Sequence, residues 1–90
     1  MSDPRDTLEQ AREAITQRGE TRDNNEERSM ASCVAAFNGM FGHELTEEQG
    51  WWFMVLLKMS RSKGGKYNID DYIDGAAYCA LAGESYEVRD

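Results

Sequence analysis

The chain has one proline, one histidine and two cysteines in 90 residues. Scarce proline removes the strongest barrier to long helices. His43 stands alone in a polar turn, so it reads as a surface residue. No nucleophile–histidine–acid constellation forms around it. Cys33 and Cys79 are not a close-spaced metal pair and read as reduced core thiols, which points to a cytoplasmic protein. No apolar run reaches the roughly 18 residues of a membrane span, and the N-terminus has no signal-like apolar segment. Alternating strand patterns, internal repeats and low-complexity tracts are absent. Basic residues are outnumbered 10 to 17, for a net charge of −7. That balance argues against direct nucleic-acid binding, where cationic side chains must replace counterions.

What is present centres on Thr46 to Gly83. The first arm is the most apolar segment of the chain: Trp51 to Leu57 is an unbroken run, followed by Lys58 and Arg61. A short basic loop containing Gly64-Gly65 follows. The second arm opens with Asp70, Asp71 and Asp74. The pattern predicts a helical hairpin. Thr46 and Gln49 form a capping-box pair, so the first arm starts at Glu47 and runs to about residue 62. Asn68 is placed to cap the second arm, from Ile69 to Ala82, with Gly83 as its stop. Ile69, Ile73, Ala76, Ala77 and Ala80 give that arm a mostly small face.

Two further helices are predicted upstream. One spans 4–17, capped by Ser2 or Asp3 and stopped by Gly19, with Leu8, Ala11 and Ile15 on one face. The other spans 25–40, capped by Asn24 or Asn25, with Glu26 and Glu27 near its positive end. Met30, Cys33, Val34, Phe37 and Phe41 recur in it at helical spacing, and Gly42 ends it. The expectation is one all-α domain over 1–90, with 18–25 a polar connector and 84–90 a frayed tail. Seven consecutive apolar residues cover a whole helix circumference. Trp51, Trp52 and Phe53 are therefore expected in an oligomer interface, making a homodimer or larger assembly.

The chemistry-bearing residues are Lys58, Arg61, Asp70, Asp71 and Asp74. Lys58 and Arg61 share a face, as do Asp71 and Asp74. Across a tight hairpin they form a ligand or ion-pair cluster, with Lys58 expected level with Asp71. The cations can instead hold an anion such as phosphate. Asp70 and Asp74, four apart, or Asp71 and Asp74, three apart, can converge on one cation; no metal is expected, and Asp71 and Asp74 are the pair to hold one if it binds. The loop Ser62-Lys-Gly-Gly-Lys66 lacks phosphate-loop spacing and reads as a solvated turn.

Four segments carry a resemblance: R-G-E-T at 18–21, L-T-E-E-Q at 45–49, V-L-L-K-M-S-R at 55–61 and D-D-Y-I-D-G-A-A-Y-C-A-L-A-G-E at 70–84. Together they resemble a family of small phage and prophage proteins of unknown function. That family is more distantly similar to all-α nucleoside triphosphate pyrophosphohydrolases of the MazG type. Those enzymes carry Glu-x-x-Glu on one helix and Glu-x-x-Asp on the next, and hold Mg²⁺ with them. Asp71-x-x-Asp74 falls where the second motif would lie. Lys58-x-x-Arg61 falls where the first would lie, with cations in place of carboxylates.

The resemblance implies a small four-helix MazG-like bundle completed by dimerisation. It implies a phage accessory protein in the host cytoplasm, with no catalytic residue and no cofactor, that binds a nucleotide or a host protein. One alternative is a Mg²⁺-dependent pyrophosphohydrolase using Asp71 and Asp74, with Glu20, Glu47 or Glu48 as replacement ligands. A second, motivated by net charge, is an acidic inhibitor of a host defence nuclease.

Overall fold

The computed structural model describes the backbone of residues 3–21 and 29–89, and side chains within 3–17 and 29–86. The fold is all-α. Its helices are α1 (Pro4–Thr21), α2 (Ser29–Phe41), α3 (Glu47–Gly64) and α4 (Ile69–Arg89). Among the described residues there is no strand, and no helix is long and apolar enough to cross a membrane.

The helix starts follow local chemistry. Asp3 precedes α1 and accepts the Arg5 backbone N–H at 2.8 Å. The Arg5 side chain also donates to Asp3, and these bonds hold the Asp3 carboxyl below its ordinary range. At α3 the Thr46 hydroxyl accepts the Gln49 N–H at 3.1 Å, and the Gln49 side chain accepts the Thr46 N–H at 2.9 Å. This reciprocal pair satisfies two N–H groups that a helix start leaves orphaned. At α4 the Asn68 side chain accepts the Asp70 N–H at 3.0 Å. Ser2, Asn24, Asn25, Glu26 and Glu27, expected at helix starts, lie outside the described residues.

Glycine separates into real and apparent stops. Gly42, at φ 70°, ends α2. Its N–H and that of His43 both return to the Asn38 carbonyl. The Asn38 side chain then bonds both the N–H and the C=O of Leu45, fixing the turn into α3. Gly19 and Gly83 were expected to stop helices and do not. Neither has the positive φ that a glycine C-cap uses. The helix runs through each, at a cost of about 1 kcal/mol relative to alanine.

So α1 extends into the expected connector. Residues 84–89 of the expected frayed tail are helical, held by buried Ala82 and Ser85. Ser85 also donates its hydroxyl to the Leu81 carbonyl at 2.9 Å.

The helices pack as a row: α1 on α4, α4 on α3, α3 on α2. Among the described residues α2 touches α3 alone, so the bundle is open. Its radius of gyration is 14.2 Å, against about 12 Å for a compact domain of this length. The core lies between α1 and α4, where Ala11, Ile73 and Ala77 are buried and Ile15, Ile69 and Ala76 pack on them. Leu8, expected on the same face, lies a turn outside this contact and is exposed; Ala80 is exposed as well. Neither cysteine is in the core: Cys33 and Cys79 are both exposed.

Gly50 explains how α2 comes close to α3. It is buried, and a Cβ there would lie 2.5 Å from Met30 Sδ and 2.8 Å from Val34 Cγ2. The methionine end can swing away, but the β-branched valine is stiff. Gly50→Ala should therefore destabilise the fold by about 1–2 kcal/mol, overpacking outweighing the propensity gain. Gly75, inside α4, has open space where its Cβ would be. Gly75→Ala should stabilise by up to about 1 kcal/mol. Urea denaturation of the two variants checks both signs.

Candidate functional site

The α3–α4 seam is read from three contacts in antiparallel order. Trp51 stacks on Tyr78 with ring centroids 5.6 Å apart. Lys58 Nζ lies 3.0 Å from Asp74 Oδ2. Ser62 donates its hydroxyl to Tyr72 Oη at 3.0 Å. Positions 51, 55, 58 and 62 recur at three and four residues, so one face of α3 meets α4. Trp51 is therefore turned toward α4, whereas Trp52 and Phe53 remain exposed.

The ion pair sits within the seam. The Lys58 and Asp74 side chains are only 13% and 19% exposed. Lys58 was expected level with Asp71; it pairs one turn further along. The cause is helix length, because α3 continues to Gly64. Lys58 then lies roughly 9 Å before the end of α3, and Asp74 roughly 7.5 Å after the start of α4, at 1.5 Å per residue. Arg61 is exposed, Asp70 is exposed and Asp71 is half-buried. Among the described residues none of these three makes an ion pair. Arg61 contributes instead through its backbone carbonyl, which accepts the Gly65 N–H at the end of α3.

Asp74 also borders a groove of about 410 Å³ between α1 and α4. Its walls include Gln10, Glu13, Gln17, Asp70 and Ile73. Three of the bordering residues are carboxylates (Glu13, Asp70 and Asp74), and among the described residues no lysine or arginine lines the groove. Among the described residues, no three His, Cys, Asp or Glu side chains converge as a metal site would need. Glu47 and Glu48 lie at the far end of α3 and accept the indole N–H groups of Trp51 and Trp52, at 3.4 and 3.2 Å. Ten residues of helix separate Glu48 from Lys58, roughly 15 Å. They are thus far from Asp74. The Glu20 side chain lies outside the described residues. Sequence reading missed Ser62 and Tyr72 in the seam; their signal was the helical spacing of Ser62 from Lys58.

Comparison with protein families places the chain. The profile of a domain of unknown function, DUF6378, matches residues 6–86. The chain belongs to the DUF6378 family. No curated protein and no solved structure matches it. In this DUF6378 domain the match spans α2 and α3 and most of α1 and α4.

The pair predicts a stability coupling. Removing one partner leaves the other charge partly buried, which costs about 1–3 kcal/mol after allowance for the remaining exposure. Lys58→Ala with Asp74→Ala should cost less than the two single changes added together. Arg61→Ala should fall within about 0.5 kcal/mol of wild type, as an exposed substitution does. Chemical denaturation of the four proteins measures each value.

Proposed function

We propose that this DUF6378 domain is a phage accessory protein that acts by binding a host protein rather than by turnover. The observation that carries the reading is the Lys58–Asp74 ion pair, 3.0 Å long and largely shielded from water. A carboxylate committed to a lysine is poorly placed to hold Mg²⁺ against phosphates. Lys58 stands where a MazG-type enzyme has a metal-holding acid, so the cation takes over the charge balance that the metal provides there.

The groove beside Asp74 favours a protein over a nucleotide. Glu13 and Asp70 border it beside the lysine-paired Asp74, and without a bridging cation these two carboxylates repel a triphosphate. A basic peptide segment meets no such penalty. On this reading the chain keeps a MazG-like helical frame and uses its surface, with the chemistry lost.

The test combines activity with stability. The purified protein, given the common nucleoside triphosphates and Mg²⁺, should release no pyrophosphate. Asp74→Asn should lower the melting temperature by several degrees. Pyrophosphate release that disappears in an equally stable Asp74→Asn protein would make the domain an enzyme and overturn the reading. Saturable nucleotide binding without turnover would exchange the host protein for a nucleotide ligand.

A further inference from the structure

The α2–α3 hairpin carries large apolar side chains that a single chain leaves in water. Phe37, Met40 and Phe41 of α2 are 39%, 75% and 60% exposed, and Trp52, Phe53 and Leu56 of α3 are 44%, 69% and 57% exposed. Taking roughly 200 Å² for a large side chain, these six leave on the order of 700 Å² uncovered. Single-chain soluble proteins show largest apolar patches of about 300–600 Å². A standard interface buries about 800 Å² per partner.

We propose that this hairpin face is the contact between two copies of the chain. Charge distribution selects the occupant. The net charge is −7, yet no charged residue occurs from Ser29 to Gly42 or from Gly50 to Leu57. Two acidic molecules repel through most of their surfaces, and this face removes that repulsion. A basic partner would gain nothing from an uncharged face.

Packing points the same way. Among the described residues no large side chain is fully buried, and the core is Ala11, Val34, Ile73, Ala77 and Ala82. So small a core leaves a 90-residue chain short of apolar burial. A second copy is available wherever the chain folds. Helix α2, which among the described residues rests on α3 alone, gains its missing neighbour from that copy. The proposal is independent of the function proposed for the groove near Asp74.

The test is sedimentation equilibrium at micromolar concentration, with three proteins. Wild type should have twice the 10.2 kDa chain mass. Phe53→Glu places a charge on each side of the contact and should shift the protein to monomer. Leu8→Glu, at an exposed apolar position on α1, should remain a dimer. A second readout uses the wild type alone, so it holds even if Phe53→Glu does not fold. Cys33 lies four and seven residues before Phe37 and Met40, on the same side of α2. In the dimer it should react with a thiol reagent at least tenfold more slowly than Cys79, which is exposed on α4. A folded wild-type monomer, a dimer broken by Leu8→Glu and not by Phe53→Glu, or equal reactivity of the two thiols would overturn the proposal.

Discussion

The interior of this domain is built from small side chains, and that constraint shapes everything outside it. Ala77 and Ala82 are fully buried, with Ala11 at 5%. Alanine brings helix axes close together but removes little apolar surface from water, at roughly 25 cal/mol per Å². The large residues must then go elsewhere. On α3 they divide: Trp51 turns to α4 and stacks on Tyr78, while Trp52, Phe53 and Leu56 stay outward. The openness of the row of helices and the apolar hairpin face are two consequences of one choice of side-chain size.

The seam between α3 and α4 supplies what the small core does not. It combines an aromatic stack, a shielded ion pair and a side-chain hydrogen bond at successive levels of the hairpin. A shielded ion pair adds little net stability, because desolvation offsets its attraction. It adds register: a slip of α3 against α4 would strand both charges. The same pair directs the functional reading, since it uses the carboxylate that a metal would need.

The starts of α1, α3 and α4 were legible because their signals are local. Thr46 with Gln49, and Asn68 ahead of Ile69, act within three residues, and Gly42 was read correctly as a stop. Gly19 and Gly83 were misread because a glycine permits a left-handed cap without requiring one. Packing decides, and Ala82 and Ser85 carry α4 onward. The hairpin's acid–base contact was foreseeable, but its register was not. Two extra residues in α3 moved the partner of Lys58 from Asp71 to Asp74. Nor could seven unbroken apolar residues reveal which of them face α4. That information lay in the polar positions at the same spacing, Lys58 and Ser62.

The central claim is that one chain is under-filled and that α2 depends on a neighbour for its order. Native-state hydrogen exchange, measured across a wide range of protein concentration, tests it most directly. Local opening follows local burial, so the amides of α4 along the seam should be slowest. Those of α2 should gain protection steadily as concentration rises. Protection in α2 that equals that of α4 and does not change with concentration would contradict the account.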